Sequence, residues 1–332
     1  MTSPSTSVSQ GPRVSVVIPA YNASGCIARA IASVQAQTEQ DFEIIVVNDC
    51  STDDTMAVVG ALAADDRRIR PVDLEKNGGP SVARNSGFAA AQGRWIAILD
   101  ADDTYRPERL ATLADRAEAA SLDFIADNID LFDYHADATI PRVISIIADD
   151  PRDYVPLTLE FFLQNDFVES GYQLGLMKPV VSRAFVQQNR LSYPTGYRHG
   201  EDSYFYSALL ACGARAEIAT AAYYVYTPTF GPISRKISEF SRTNTDYIKK
   251  AKSCEDFLQQ YGARISPEAA RLVSQRRIRM LRFNEFLITL NMRKSAPASA
   301  VIARLLRHPS SLQFLLPLAW KRIQRGAAGA TK

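Results

Sequence analysis

The sequence predicts an α/β protein, a doubly wound and mostly parallel sheet with a helical C-terminal extension. Three observations predict it. Short β-branched apolar runs at residues 14–19 (VSVVIP), 42–47 (FEIIVV) and 95–99 (WIAIL) each stop abruptly at polar or acidic residues, as buried parallel strands do. Stretches with apolar residues at helical spacing separate them, so strand and helix alternate about four times in about 100 residues, the mark of right-handed crossovers. Beyond residue 237 the pattern turns helical and basic.

Taken in order, the first run closes at Ala20-Tyr21-Asn22, and Ile27, Ala30, Ile31 and Val34 then recur at helical spacing. The second run leads into Asn48-Asp49-Cys50-Ser51-Thr52-Asp53-Asp54, where Ser51 and Asp54 read as a capping pair for a helix carrying Met56, Val59 and Leu62. A weaker strand over residues 70–74 reaches Asn77-Gly78-Gly79-Pro80, from which a short helix runs through Arg84 and Asn85 toward Gly93.

The fourth strand ends in three carboxylates, Asp100, Asp102 and Asp103, and Pro107, read in a helix's first turn and followed by Glu108, announces the next helix. In open α/β sheets ligands collect beyond the carboxyl ends of strands, so this cluster belongs at a cleft mouth. In an extended chain Asp100 and Asp102 point the same way across Ala101, which suits a hard divalent cation shared with phosphates. A solvated turn with aspartate caps has the same sequence signature, and Asp103, facing the other way, is assigned to capping.

The net charge of +2 hides an asymmetry: from Tyr261 onward there are 14 Lys/Arg against 2 acidic residues, leaving 24 basic and 34 acidic on the first 260 positions. Four scattered cysteines without a C-x-x-C pair read as reduced thiols of a cytoplasmic protein rather than as a metal site. Residues 1–12 are expected to be disordered and lack the apolar region of a signal peptide, and no run has the length of a membrane span.

Four strings in order, VSVVIPAYN, VVNDCSTDD, NGGPSVARNSG and ILDADD followed by PERL, make residues 14–110 resemble glycosyltransferase family 2. The resemblance implies the GT-A fold and a metal-dependent, inverting transfer from a nucleotide-activated sugar. It implies that Pro19, Ala20, Tyr21 and Asn22 line the base and ribose pocket and that Asp49 binds uracil. Arg84 would contact the nucleotide, Asp100 and Ala101 the ribose side, and Asp102 the Mn²⁺ or Mg²⁺ that bridges the diphosphate. The residues also speak for themselves. A carboxylate accepts the imide N–H that distinguishes uracil from cytosine, and an arginine offers a planar fork to a diphosphate. A turn cap at Asp49, a surface arginine at 84 and a packed aromatic at Tyr21 are the plainer readings. Cys50 stands where the family usually has glycine, so that turn either avoids a positive φ or carries strain.

Residues 120–133 form a further apolar piece, and 134–154 read as a long excursion beside the cleft. A stretch ending at Arg183 precedes a helix with Phe185 and Val186. Within the family it is most similar to glucosyltransferases of the succinoglycan type. Lys178 in that stretch suits a phosphate or a sugar hydroxyl, and equally a surface position. In His199-Gly200-Glu201-Asp202, Asp202 shares a helical face with Phe205, Tyr206 and Leu209, an unusual place for a carboxylate without a role. By resemblance Asp202 is the general base, with Glu201 beside it as an acceptor or diphosphate contact. A helix N-terminus stabilises the anion, so such a base works in concert with leaving-group departure. Two helix caps and a structural His199 are the plainer alternative. The β-rich run 223–230 precedes Ser234 and Arg235, which are either diphosphate contacts or a plain basic loop.

The expected organisation is a catalytic domain over residues 13–236, its nucleotide-sugar half at about 13–125 and its acceptor half at about 126–236, followed by a basic helical region over 237–332. There, Leu312 to Trp320 abut Lys321, Arg322 and Arg325, which suits the face of an anionic membrane. Packing on the domain or forming a homodimer suits it equally. No nucleic-acid recognition module is present. The expected partners are a UDP-sugar donor and a saccharide or lipid-linked oligosaccharide acceptor, at a cytoplasmic site with or without attachment to the plasma membrane. A nucleotidyltransferase would want a Gly-rich basic loop where Pro19-Ala20-Tyr21-Asn22 stands, and a dehydrogenase would want G-x-G-x-x-G. A sugar-nucleotide-binding module without catalysis would leave unused the metal and base positions that Asp102 and Asp202 fill.

Overall fold

In the computed structural model, described over residues 11–133, 138–166, 174–197, 200–227, 246–292 and 296–314, the expected alternation is realised strand by strand. The first elements are β1 (Val14–Ala20), α1 (Ile27–Gln35), β2 (Phe42–Asn48), α2 (Thr55–Asp65), β3 (Ile69–Asp73), α3 (Pro80–Ala90) and β4 (Trp95–Ile98). Their strands pair in parallel in the order β3-β2-β1-β4. β1 takes the centre because it is apolar on both faces, with Val14, Val16, Val17 and Ile18 fully buried. α1 turns Ile27, Ala30, Ile31 and Val34 inward, and each large aliphatic side chain so buried contributes roughly 1.5–3 kcal/mol. α3 lies so close to β1 that a Cβ at Gly87 would sit 2.2 Å from Val17 Cγ1, so only glycine fits there. β2 and β3 lie on one side of β1 and β4 on the other. The strand order therefore reverses between β1 and β4, and a crevice opens at their carboxyl ends.

The sheet continues through β5 (Thr104–Tyr105), β6 (Phe124–Asp133), β7 (Ala138–Ile140), β8 (Tyr154–Pro156), β9 (Val180–Ser182) and β10 (Ala216–Tyr226), with α4 (Arg109–Ala119), α5 (Ser145–Ala148), α6 (Leu159–Asn165), α7 (Arg183–Gln188) and α8 (Glu201–Ala211) between them. Beyond β4 the order is β9-β6-β10-β5. The long β6–β10 pairing is parallel, whereas the short strands β5, β7, β8 and β9 pair antiparallel. The mostly parallel sheet thus takes in two distant segments, the short antiparallel β9 between β4 and β6 and the long parallel β10 on the other side of β6.

Three local expectations need correction. Ser51 and Asp54 do not cap α2. Ser51 Oγ instead accepts from Asn22 N at 3.0 Å, and Asp53 takes the helix start by accepting from Thr55 N at 3.0 Å. Residues 138–154 are not one irregular excursion, because they contain β7, α5 and the start of β8; residues 134–137 lie outside the described residues. Pro107 precedes the first turn of α4 rather than occupying it, since that helix starts at Arg109.

The chain divides into two compact units, Met1–Asn244 and Thr245–Lys332. In the second, which holds α9 (Tyr247–Tyr261), α10 (Pro267–Met292) and α11 (Ala298–Arg307), the first two helices and the short turn Pro309–Phe314 meet around an aromatic cluster. Phe283 stands 5.0 Å from Tyr247 and 5.0 Å from Phe314, centroid to centroid. Arg277 pairs with Glu255, and Arg304 with Glu285. No helix among the described residues is long and apolar enough to cross a membrane. All four cysteines are thiols.

Candidate active site

Three strand ends build one wall of the crevice. After β1, Ala20 O accepts from Asp49 N at 2.8 Å, tying the ends of β1 and β2 together. The Asp49 carboxylate is buried and holds the following glycine loop, accepting from Gly78 N at 2.7 Å and Gly79 N at 2.8 Å. Those two bonds occupy one lone pair on each oxygen and leave the others for a ligand. Asn22, at φ 49°, accepts from Thr52 N at 2.8 Å. Cys50 adopts φ 60°, so the glycine-to-cysteine exchange is tolerated at the cost of a left-handed residue. Its Sγ donates to Leu74 O at 3.1 Å. Tyr21 is 42% exposed, and Pro19 is half-buried beside it.

The acidic segment after β4 is a turn rather than an extended strand, closed by Asp103 N donating to Asp100 O at 3.0 Å. The alternation argument for Asp100 and Asp102 therefore fails, and the Asp100 and Asp103 carboxylates meet different partners. Asp103 is no cap. It is fully buried, accepting from Tyr224 O–H at 2.5 Å and from Thr227 N at 2.7 Å. Burial, and then the charges of Asp102 and Asp100, push its carboxyl well above the usual range. Tyr224 Oη also accepts from Asp100 N at 3.2 Å, which fastens the turn to β10. Asp102 and Ala101 stay half-buried at the mouth, and the Arg29 guanidinium donates to Asp102 O.

The other wall is α8. Gly200, at φ 88°, lets the chain swing into this helix. Phe205, Tyr206 and Leu209 are buried as their spacing requires, and Phe205 stacks on Tyr193 with centroids 4.2 Å apart. Ser203 Oγ donates to the buried Asp166 at 2.7 Å, and Tyr206 O–H donates to Met177 O at 2.5 Å. The helix is thereby pinned to Asp166 and to Met177.

Between the walls lies a cluster of charge. Arg84 Nη2 is 2.9 Å from Asp100 Oδ1, and its Nη1 is 3.0 Å from Asp202 Oδ1 and 3.4 Å from Glu201 Oε1. Lys178 Nζ is 2.8 Å from Asp202 Oδ2 and 3.2 Å from Asp100 Oδ2. The side chains of Arg84 and Lys178 are each only 5% exposed, and the Arg84 guanidinium lies 5.2 Å over the Tyr193 ring. Burial alone would raise Asp100, but Lys178 and then Arg84 hold it down to about 2. Glu201 is raised, by burial first and by Asp202 second. The surface readings of Arg84 and Lys178 are thus overturned by their burial.

The turn offers a hard oxygen donor for a divalent ion. Among the described residues no three His, Cys, Asp or Glu side chains converge on a metal-sized space. Mg²⁺ and Mn²⁺ need no such cage when one carboxylate and the phosphates of a substrate share the ion, so Asp102 at the mouth fits. Asp100 is committed to its two cations. Ser234, Arg235 and His199 lie outside the described residues. Sequence reasoning missed Tyr193, Tyr224 and Asp166. The alternation in the run YYVY marks Tyr224 as inward-facing, but nothing in the sequence marks the other two.

With this geometry in hand, the comparisons are specific. The model of glycosyl transferase family 2 matches residues 15–185. The succinoglycan biosynthesis protein ExoO of Rhizobium meliloti (strain 1021) is 34% identical over 96% of this chain and 88% of its own. The chain belongs to glycosyl transferase family 2. The glycosyltransferase is also 32% identical to ExoU of the same organism, another succinoglycan biosynthesis protein, over 91% of this chain and 85% of that one. Among solved structures, S. aureus TarS 1-349 in complex with UDP-GlcNAc superposes with a TM-score of 0.65 at 20% identity, covering 86% of this chain and 77% of that one. The mannosyltransferase PcManGT from Pyrobaculum calidifontis, in complex with GDP-Man and Mn²⁺, superposes with a TM-score of 0.56 at 16% identity, covering 95% and 84%. The fold of this glycosyltransferase is therefore of the GT-A kind.

Proposed function

We propose that this glycosyltransferase moves a sugar from a UDP-sugar to a hydroxyl of a saccharide or lipid-linked oligosaccharide during assembly of a bacterial exopolysaccharide. The likeness to two succinoglycan biosynthesis proteins over nearly the whole chain supports that setting, and glucose is the sugar the succinoglycan-type resemblance implies. The observation that carries the reading is the cluster at the strand-order reversal. Asp202, from the acceptor half, and Asp100, from the end of β4, are held by the same two cations. In this reading Asp49 accepts the uracil imide N–H while Pro19, Ala20, Tyr21 and Asn22 frame base and ribose. Arg84, Asp100 and Ala101 face the ribose and the diphosphate, and Asp102 takes the divalent ion. When bound, that ion neutralises the leaving diphosphate.

Asp202 takes the acceptor hydroxyl proton. The acceptor oxygen attacks the anomeric carbon from the face opposite UDP, and the bond to the β-phosphate oxygen breaks with its electron pair leaving on UDP. A single displacement inverts the centre. Glu201 flanks the acceptor side, and Ser234 and Arg235 are candidates for closing on the diphosphate. In Asp202→Asn, transfer should fall at least ~100-fold while UDP affinity stays within about threefold. Asp102→Asn should lower turnover about 100-fold, and EDTA should inhibit the wild type. Joint loss of UDP binding and turnover in Asp202→Asn would move that residue to the nucleotide site, and full activity in chelator would end the metal-dependent reading.

We also infer attachment to an anionic membrane through the second unit. No acidic residue follows Glu285, whereas Arg293, Lys294, Arg304, Arg307, Lys321 and Arg322 do. α11 buries none of its residues, and Ile302 and Leu306, one turn apart, are 56% and 77% exposed. Binding to anionic liposomes should be salt-sensitive, at about 1 kcal/mol per basic residue near the surface, and lost in Ile302→Asp/Leu306→Asp. A variant that instead changes from dimer to monomer would assign this face to a second copy.

A further inference from the structure

Arg84, Asp100, Lys178 and Asp202 form a closed ring of ion pairs. Arg84 holds Oδ1 of both aspartates, at 2.9 and 3.0 Å, and Lys178 Nζ holds Oδ2 of both, at 3.2 and 2.8 Å. Every carboxylate oxygen of the pair thus lies within ion-pair distance of one cation, although Asp202 Oδ1 accepts no hydrogen bond. A lysine is almost never buried unless paired, and this buried ammonium donates to Asp202 Oδ2 at 2.8 Å and stands within ion-pair distance of Asp100 Oδ2. The Lys178 backbone is equally constrained: its carbonyl accepts from the Arg109 guanidinium, which is fixed in turn by Asp127 at 2.7 Å. Two residues along, Val180 is paired with Ala97 of β4, the strand that leads to Asp100. A lysine meant to follow a diphosphate wants a mobile head. This one is anchored at both ends, between the donor-side carboxylate and the base.

We propose that Lys178 is a positioning residue for proton transfer, fixing the Asp202 carboxylate relative to Asp100, and not a contact for the donor diphosphate. The inference rests on the reading of Asp202 as the base. The ring couples the two halves of the site, so a shift in Lys178 is felt at the acceptor oxygen before it is felt at the nucleotide. Displacing a catalytic group by about 1 Å costs about 100-fold in rate.

The test uses the full chain with UDP and Mn²⁺ as the binding probe and UDP-sugar turnover as the rate. Lys178→Met should lower transfer about 100-fold with UDP affinity kept within about threefold, and Lys178→Gln should fall between it and wild type. Replacing the lysine leaves three carboxylates facing Arg84 alone, so Asp202→Asn added to Lys178→Met should raise the melting temperature above that of Lys178→Met. If Lys178→Met weakens UDP binding as much as it slows transfer while Asp202→Asn stays inactive, the lysine is a diphosphate contact and the proposal fails, leaving the base in place. If Asp202→Asn turns over normally, the base reading itself has failed. Should Lys178→Met not fold, the charge-restored double variant answers the same question: UDP bound as by the wild type supports positioning, and lost binding overturns it.

Discussion

Arg84 and Arg109 are both buried arginines paired with aspartates, yet they do opposite work. Arg109 is fully buried against a single carboxylate, Asp127, itself 1% exposed, and lies 4.3 Å from the Tyr105 ring. Asp127 spends its remaining capacity on Tyr223 N and Tyr224 N at 2.9 and 2.8 Å. One positive charge meets one negative charge, and no side faces the crevice. Arg84 shares its cluster with Lys178 against Asp100, Glu201 and Asp202, so two cations face three carboxylates. Asp100 retains 25% and Asp202 14% side-chain exposure. A balanced pair closed off from solvent is a strut. An unbalanced one with open lone pairs at a strand end is a place where a ligand and an ion complete the charge. The two are joined, because the strut grips the Lys178 carbonyl.

The sharpest way to break this comparison is to remove each arginine. Arg109→Met strands Asp127 in the core and should cost about 3–5 kcal/mol, read as a lowered denaturation midpoint. Arg84→Met should destabilise less, because water reaches Asp100 and Asp202, while UDP binding and transfer both collapse. Equal stability losses would erase the distinction between strut and site.

The smallest effect concerns Glu201, the third carboxylate of the unbalanced cluster. Burial and Asp202 raise its carboxyl above the ordinary 4.5, so the folded state disfavours the charged form. The penalty is present above the raised value and vanishes as pH falls toward 4.5, where the unfolded chain also binds the proton. Glu201→Gln should therefore melt slightly higher than wild type near pH 8, with the gain fading as melts are repeated toward pH 4.5. A gain that grew on acidification would mean that the carboxylate is favoured in the cluster.

How much of this was legible depended on sequence distance. β1, β2, β3 and β4 were readable because continuous apolar runs have one stable use in an α/β sheet, and α1 because Ile27, Ala30, Ile31 and Val34 fit a single helical face. The motifs at Asp49, Arg84 and Asp100 lie on those local elements, so finding the elements found them. The Asp100–Asp102 alternation failed because one backbone bond, Asp103 N to Asp100 O, turned the chain. Asp103 failed as a cap because its partners, Tyr224 and Thr227, lie more than 100 positions away.

By itself, then, the sequence determined the class of fold, the order of the crossovers and the residue types at the strand ends, because local periodicity and turn chemistry act over a few residues. It also placed a carboxylate on the inner face of α8. Tertiary structure alone decided that Lys178 is buried rather than solvated, that it and Arg84 share both Asp100 and Asp202, and that Arg109 anchors it from behind. Charges interact through space, and the antiparallel insertion of β9 between β4 and β6 is what brings position 178 to position 100.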